Sequence, residues 1–254
     1  MTAVRGLQSF ATHGTEILYA RAMNQITPLR SLSHVRDWVF DLDNTLYPRA
    51  CNLFAQIDAL ISVYMVGVTG LPYAEARALQ KAYYRDHGTT LHGLMLHHGV
   101  DPDHFLKTVH DIDYSGVPAH PGLVAAIAAL PGRKFVLTNG DVGHASQVLQ
   151  HVGAAELFTD IFDIRSMGYQ PKPMPVAYES FFAAHEVDAT RAAMFDDLEK
   201  NLLVPHETGM VTVHVVAAED FEHDQVESWE LGRTTGPHVH HVTDDLEGFL
   251  RGVV

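Results

Sequence analysis

Cysteine is almost missing from this sequence, since Cys51 is the only one among 254 residues. No intrachain disulfide can form, which favours a reducing compartment, and we predict a cytoplasmic location. No run of apolar residues approaches the ~18 that a membrane-spanning helix needs, so no transmembrane helix is predicted.

Basic residues are also few in this chain. The 17 Lys and Arg residues stand against 31 Asp and Glu residues, which gives a formal net charge of −14. A chain this acidic is poorly suited to broad electrostatic binding of nucleic acid or of an anionic membrane. Apolar residues make up 46% of the chain, enough for a folded core. We therefore expect a folded protein that binds neither a nucleic acid polymer nor a membrane.

The first 33 residues differ from the rest in charge. Arg5, Arg21 and Arg30 occur there with a single acid, Glu16. The longest apolar run in this stretch is too short for the core of a secretory signal. We interpret residues 1–33 as an N-terminal extension, either frayed or folded as a short surface helix, with a transit-like peptide as the alternative.

Short apolar runs alternate with segments of helical length through the remaining chain. Such runs are typical of strands buried on both faces of a parallel sheet, and the alternation favours a doubly wound α/β fold with a mostly parallel sheet. The predicted strands are 38–40, 134–137, 192–195 and 211–216, and the predicted helices are 143–152, 175–185, 198–208 and 244–251.

A long segment interrupts this alternation after the first strand. Between Leu53 and Met65 apolar residues recur at steps of three and four, as on one face of a helix. We interpret residues 51–116 as an inserted, all-helical cap subdomain, and residues 34–50 and 117–254 as the α/β core. Three further cap helices are predicted, over 73–84, 91–97 and 103–110, with breakers at Gly70, Gly88 and Gly99.

Acidic residues cluster where two of the predicted strands end. Asp41 and Asp43 follow the first strand, two residues apart, and Asp196 and Asp197 follow the third. The carboxyl ends of parallel strands meet at the edge of the sheet where ligands bind. Four carboxylates at one edge repel each other unless a cation lies between them, and oxygen ligands of this kind favour Mg²⁺.

Three other residues complete a site for a phosphate group. Thr138 offers a hydroxyl, Gly140 permits close approach of the backbone, and Lys172 lies in a proline-rich loop that limits its movement. We also expect the helix that begins near residue 142 to direct its N-terminal amides at the phosphate. In the mechanism that these residues suggest, Asp41 attacks phosphorus, Lys172 neutralises the oxygens, and Asp43 protonates the leaving alcohol and then activates water.

In chain order these motifs resemble those of the haloacid dehalogenase (HAD) superfamily. The resemblance covers residues 36 to about 216, and a helical cap straight after the first motif is similar to the first cap class of that superfamily. Residues 88–94, 113–114 and 168–173 look like its pyrimidine 5'-nucleotidase branch. The residues that carry the superfamily resemblance are Asp41-Leu42-Asp43-Asn44-Thr45-Leu46-Tyr47-Pro48, Thr138-Asn139-Gly140, Lys172, Asp196-Asp197 and Asn201.

The resemblance implies a role for each matching position. Asp41 corresponds to the nucleophile, Asp43 to the acid/base whose main-chain carbonyl also binds Mg²⁺, and Asp197 to the third metal ligand. The remaining implied roles are phosphate binding by Thr138 and Asn139, charge stabilisation by Lys172, and support of the metal site by Asp196 and Asn201. Two positions depart from the usual pattern: Asn44 replaces a common glycine, and Leu198 replaces a frequent serine.

The cap offers candidates for a substrate pocket. Tyr47, Thr89, Thr90 and Tyr114 could line it, and ordinary packing within the cap is the alternative for each of them. Most of the 18 histidines are expected on the surface or on helices, since no pair has the flanking acids or cysteines of a zinc site. A transition metal at His238, His240 and His241 is the alternative for the tail.

The sequence predicts a Mg²⁺-dependent phosphatase of a small phosphorylated metabolite, most specifically a pyrimidine nucleoside monophosphate. A phosphatase of a phosphosugar or of phosphoglycolate is the nearest alternative, because only the cap would differ. A dehalogenase ranks lower, since displacement of a halide needs neither Mg²⁺ nor an acid such as Asp43. A non-catalytic, receiver-type signalling module ranks lowest, because its acid pair would precede the phospho-acceptor and it would lack the helical insert.

Overall fold

A computed structural model describes residues 31–217 and 236–253 of the chain. All but the last three residues of the predicted N-terminal extension lie outside the described residues. The described residues form one compact unit.

A parallel sheet forms the centre of the molecule. Within the described residues it has six strands in the order β3-β2-β1-β4-β5-β6, and every neighbouring pair is parallel. This confirms the predicted doubly wound α/β fold. The strands are β1 Asp37–Phe40, β2 Arg133–Leu137, β3 Asp160–Phe162, β4 Ala192–Asp196, β5 Val211–Val215 and β6 His241–Thr243.

The side chains of successive residues in each strand point to opposite faces of the sheet. Trp38 and Phe40 pack into one hydrophobic cluster, with the helices over 121–129, 142–152 and 246–251, while Val39 between them packs into the other. The four predicted strands are β1, β2, β4 and β5. Two edge strands, β3 and β6, were not predicted, because each has only three residues and forms no continuous apolar run.

The helices of the described residues fall into two groups. Four follow β1 and occupy most of the predicted insert, and Gly70 and Gly99 end two of them with positive φ angles of 69° and 62°. The insert's boundaries at 51 and 116 remain a prediction. The helices are α1 Leu53–Thr69, α2 Tyr73–His87, α3 Thr90–His98, α4 Pro102–Val109, α5 Pro121–Ala129, α6 Val142–Val152, α7 Pro175–His185, α8 Leu203–Thr208 and α9 Leu246–Arg251.

One predicted helix is broken in the structure. Residues 198–208 were expected to be continuous, but a 3₁₀ turn over Glu199–Leu202 precedes α8. Pro205 has no N–H group and cannot donate to the carbonyl of Asn201 as an α-helix requires. The hydroxyl of Tyr178 donates to that carbonyl instead, at 2.7 Å.

No single helix within residues 31–217 and 236–253 has the length and apolar composition to cross a membrane. The adjacent helices α1 and α2 meet those criteria only when taken together, and they are bent by 107° at the break between them.

The aromatic stack at the centre of the sheet provides a test of the core. Phe195 is fully buried, and its ring stacks on that of Phe40 with centroids 4.7 Å apart. We expect Phe195→Ala to lower the free energy of unfolding by about 3–5 kcal/mol, because it leaves a cavity that the sheet cannot close. Urea denaturation measures this change. Val63→Ala, at an exposed position, should change it by no more than about 0.5 kcal/mol.

Candidate active site

The strand order brings three of the predicted motifs to one edge of the sheet. β1 lies between β2 and β4, so the residues that follow these strands become neighbours. The amide of Asp41 donates to the carbonyl of Phe195 at 2.8 Å, which places Asp41 beside Asp196. Thr138 follows β2 on the other side of Asp41.

Lys172 reaches this edge from the loop before α7. Its Nζ donates to Asp41 Oδ1 and to Asp196 Oδ2, both at 2.7 Å, and the side chain is almost completely buried. The loop is held by Asn139, whose Oδ1 accepts from the Lys172 amide at 2.8 Å and whose Nδ2 donates to the Lys172 carbonyl at 3.1 Å. The side chain of Asn139 therefore orients Lys172. Only the main chain of Asn139 is left to bind a phosphate, as its predicted role requires.

Asp196 accepts hydrogen bonds on both of its carboxylate oxygens. Its Oδ1 accepts from the Leu198 amide and from Asn201 Nδ2, each at 2.9 Å, while its Oδ2 accepts from Lys172. Asp197 has a partner that was not predicted. Arg49, in the turn before the cap, donates to Asp197 Oδ2 at 2.8 Å.

Three buried carboxylates are close enough to share a cation. One oxygen each from Asp41, Asp196 and Asp197 lies within 4.8 Å of the others. Burial and the nearby charge of Asp196 together raise the pKa of Asp197 to about 7, against the opposing effect of Arg49. Burial also raises the pKa of Asp41 well above its ordinary value, although Lys172 opposes this, and Asp196 and Asp197 add to the rise.

The three carboxylates are paired with only two cationic side chains, Lys172 and Arg49, which leaves one negative charge of this group unbalanced. A divalent cation with oxygen ligands would remove the imbalance, so the carboxylates of the site fit the predicted Mg²⁺. Asp43 does not belong to this carboxylate group. Its predicted contact with the metal is through its main-chain carbonyl.

Asp43 instead accepts two hydrogen bonds on one oxygen. Tyr47 Oη donates to Asp43 Oδ1 at 2.5 Å, and His144 Nε2 donates to the same oxygen at 2.8 Å. Burial by itself raises the pKa of Asp43, but the charge of His144 and the hydrogen bonds from His144 and Tyr47 outweigh it and lower this pKa below its usual value. Asp43 is therefore ionised near neutral pH before any substrate is present.

The start of α6 differs from the expected phosphate cradle. The Val142 amide donates to Asp163 Oδ2 at 3.0 Å, and the His144 amide donates to Asp141 Oδ1 at 2.8 Å. These two amides are thus paired with carboxylates of the chain itself. Thr138 Oγ1 accepts from the Gly140 amide at 2.9 Å, and its own proton is available to a phosphate oxygen.

A cavity of about 190 Å³ extends from these residues into the cap. Thr89 and Thr90 line it, as predicted, but both also have a role within the cap. The Thr89 hydroxyl caps α3 by accepting from the His92 amide, and the Thr90 hydroxyl donates to the Gln80 carbonyl. Tyr47 and Tyr114, which were predicted as pocket candidates, are not among the residues that line the cavity.

The cap end of the cavity contains a buried carboxylate that the sequence analysis did not single out. Asp58 Oδ1 accepts from Gln80 Nε2 at 2.7 Å and lies 3.2 Å from Lys81 Nζ. Its Oδ2 accepts from Arg77 at 2.9 Å. These polar groups lie among apolar walls formed by residues such as Ile61.

Comparison with known proteins identifies the family. The model of the haloacid dehalogenase-like hydrolases matches residues 38–203, which is more than half of the chain. The chain belongs to that hydrolase family. The members of this family are hydrolytic enzymes. The matched segment begins in β1 and ends at the start of α8.

Several solved structures of HAD proteins share the fold at low sequence identity. An HAD phosphatase from Thermococcus onnurineus has a TM-score of 0.56 at 14% identity, covering 86% of this chain and 98% of that one. The putative HAD-hydrolase YfnB from Bacillus subtilis, solved bound to magnesium, has a TM-score of 0.52 at 15% identity, with coverage of 86% and 98%. The L-2-haloacid dehalogenase from Xanthobacter autotrophicus, solved with chloropropionic acid covalently bound, has a TM-score of 0.51 at 13% identity and coverage of 86% and 98%.

The sequence analysis did not predict two residues that contact the acids of this site, Arg49 and His144. Arg49 directly follows the first motif, and a cation so near to Asp41 and Asp43 in the sequence is a signal that could have identified it. His144 was grouped with histidines expected on the surface or on helices, yet its side chain is fully buried against Asp43. The signal for His144 was its place in the first turn of the helix that follows Thr138 and Gly140.

The tail histidines have partners of their own. His238 Nε2 lies 3.4 Å from Glu199, and His240 Nδ1 bonds to Thr212 Oγ1 at 2.8 Å. In the described part of the chain, the three tail histidines form no cluster with the spacing of a metal site.

The buried lysine provides a test of how the HAD site is held together. We expect Lys172→Met to lower the free energy of unfolding by about 3–5 kcal/mol in metal-free buffer, because it leaves two buried carboxylates without their shared cation. Urea denaturation in EDTA measures this loss. Lys107→Met, at an exposed position of α4, serves as the matched control and should change little.

A double-mutant cycle makes this test specific. In an Asp196→Asn background the Lys172→Met substitution should cost less, since one carboxylate fewer is left unpaired. Strictly additive effects of the two substitutions would contradict the shared hydrogen bonding of Lys172.

Proposed function

We propose that this HAD-family hydrolase is a Mg²⁺-dependent phosphomonoesterase that acts through an aspartyl-phosphate on Asp41. One observation carries the proposal. Lys172 donates a hydrogen bond to Asp41, and both residues line the same cavity as Asp43. A nucleophile, a stabilising cation and an acid/base therefore surround one space. Hydrolysis of a phosphate monoester requires all three.

The first half of the reaction transfers the phosphoryl group to the protein. A carboxylate oxygen of Asp41 forms a bond to phosphorus as the bond from phosphorus to the leaving oxygen breaks. Lys172 Nζ and the Thr138 hydroxyl stabilise the negative charge on the phosphoryl oxygens. The leaving oxygen takes a proton from Asp43 and departs as an alcohol.

Asp43 has to acquire that proton when the substrate arrives. Its pKa is low in the substrate-free site because the charge of His144 and the hydrogen bonds from His144 and Tyr47 outweigh the effect of burial. A phosphate dianion in the cavity adds negative charge close by and raises the pKa of a neighbouring carboxyl. In the second half, Asp43 removes a proton from the water that attacks phosphorus, and Asp41 is released as a carboxylate.

The metal site is proposed on the carboxylates already described. The carboxylates of Asp41 and Asp197 and the main-chain carbonyl of Asp43 would hold Mg²⁺, while Asp196 keeps Lys172 in place. When bound, Mg²⁺ supplies positive charge for the phosphoryl oxygens and for the Asp41 carboxylate. The Arg49 contact to Asp197 supplies part of that charge in the metal-free site.

The surroundings of Asp43 favour a phosphatase over a dehalogenase. A halide leaves carbon as a stable anion and needs no proton, so a dehalogenase has no use for an acid at this position. Two donors converge on Asp43 here, and the residue lines the cavity. The similarity to solved dehalogenases extends to the fold and does not decide the chemistry.

The cavity favours a substrate with a flat, apolar ring and a polar edge. Its walls include Phe54, Leu91 and Phe105, whereas Asp58 and Gln80 form a hydrogen-bonded polar group at its cap end. A heterocyclic base can use both kinds of surface, but a polyhydroxylated sugar would leave its hydroxyl groups against apolar walls. We propose a pyrimidine nucleoside monophosphate, which the sequence resemblance also favours, ahead of a phosphosugar or phosphoglycolate.

A substrate screen tests both levels of the proposal. We expect phosphate release from UMP and CMP to exceed that from AMP and from sugar phosphates, and to require Mg²⁺. Asp41→Asn should reduce turnover by about 10³-fold or more, because the nucleophile is lost. Phosphate release is measured colorimetrically for the purified wild type and variant with and without Mg²⁺.

The outcomes of the screen separate the alternatives. A clear preference for a sugar phosphate or phosphoglycolate would end the nucleotidase assignment and leave the phosphatase intact. Unchanged turnover by Asp41→Asn would remove the covalent mechanism. Chloride release from L-2-chloropropionate without any phosphatase activity would assign the chain to the dehalogenases instead.

Binding of Mg²⁺ can be tested without any substrate. We expect Mg²⁺ to raise the melting temperature of the wild type, because a ligand that binds the folded state stabilises it. Asp197→Asn should abolish this rise, while Asp244→Asn, at an exposed position, should keep it. Differential scanning calorimetry provides the measurement. An equal rise for wild type and Asp197→Asn would contradict the proposed metal site.

A further inference from the structure

The two carboxylate oxygens of Asp43 are in different surroundings. Oδ1 accepts from both Tyr47 Oη and His144 Nε2. Within residues 31–217 and 236–253 no hydrogen bond reaches Oδ2, and Asp43 lines the cavity together with Gly140. Only Oδ2 is therefore open to exchange a proton with a molecule in the cavity.

Contacts with three other residues fix the position of His144. Its Nδ1 bonds to the Tyr114 hydroxyl at 3.0 Å, and its ring stacks on His110 with centroids 4.5 Å apart and planes inclined by 12°. Its amide is fixed by Asp141 at the start of α6. Rotation of the imidazole would break these contacts, so the Nε2 proton has one available direction, toward Asp43.

We propose that His144 is a positioning residue that holds Asp43 by Oδ1 so that Oδ2 carries the proton to and from the reacting oxygens. This inference rests on the proposed phosphatase function. The Cβ–carboxyl torsion of an aspartate has a broad preference, and donors fixed by other contacts are needed to select one orientation. An acid held in its productive orientation loses less entropy on reaching the transition state.

The alternative is that His144 only fills space between α6 and the first motif. Removal of a space-filling residue would disturb every substrate alike. Removal of a positioning residue would disturb the reaction in proportion to the leaving group's need for a proton. Two esters of similar size with different leaving groups can separate these cases.

The experiment compares benzyl phosphate with p-nitrophenyl phosphate. p-Nitrophenolate leaves as a stable anion, whereas benzyl alcohol must be protonated as its bond to phosphorus breaks. The quantity to measure is kcat/KM, which covers the steps up to transfer of the phosphoryl group to Asp41. The proteins are the wild type, His144→Leu, His144→Gln and the control Gln147→Leu, an exposed position on the same helix.

We expect His144→Leu to reduce kcat/KM for benzyl phosphate about tenfold more than for p-nitrophenyl phosphate, within the range that general acid catalysis supplies. His144→Gln keeps a donor near the place of Nε2 and should recover most of the difference. Gln147→Leu should match the wild type with both esters. Equal losses for both esters in His144→Leu, or no loss, would overturn the positioning role.

A spectroscopic measurement keeps this inference distinct from the proposed function. If the wild type cleaves neither ester with Mg²⁺ present, the phosphatase proposal fails. Proton NMR then tests separately whether His144 donates a hydrogen bond to Asp43. We expect a slowly exchanging, downfield imidazole proton in the wild type that disappears in His144→Gln and shifts in Asp43→Asn. Absence of such a proton, or no response to Asp43→Asn, would overturn the role of His144.

Discussion

The whole site depends on one ammonium group buried between two carboxylates. Lys172 Nζ is 2.7 Å from both Asp41 and Asp196, and burial of three charges together is tolerated only because each is paired. This interaction joins β1, β4 and the loop before α7 at a single point. It also explains why Asn139 holds the Lys172 backbone, since a small displacement of that loop would leave two carboxylates unpaired.

The sheet supplies the rigid frame for this arrangement. Because β1 is central and all neighbouring strands are parallel, the residues after β1, β2 and β4 meet at one edge. The cap then follows directly from the first motif and covers that edge. Arg49 and His110 belong to the segments that enter and leave the cap helices, and both touch the acids of the core: Arg49 touches Asp197, and His110 lies 3.2 Å from Asp141.

Much of the fold could be predicted from local patterns. β1, β2, β4 and β5 are continuous apolar runs because both of their faces are buried, and the cap helices show an apolar repeat because only one face is. The edge strands β3 and β6 have three residues each and are defined by pairing with a neighbour. The break before α8 depends on Tyr178, which is distant in sequence, in addition to Pro205.

The sequence by itself determined which chemical groups stand at the strand ends, since residue types and their order along the chain are local properties. Asp41, Thr138 and Asp197 were identified in this way, and Lys172 from its place in a proline-rich loop. Only the tertiary structure decided how those groups are paired. His144 is separated from Asp43 by 101 residues, and whether its imidazole meets that carboxylate depends on how α6 packs beside β1. Hydrogen bonds require atoms to be placed within a few tenths of an ångström, and side chains from distant segments reach such positions only when the packing of the whole core is complete.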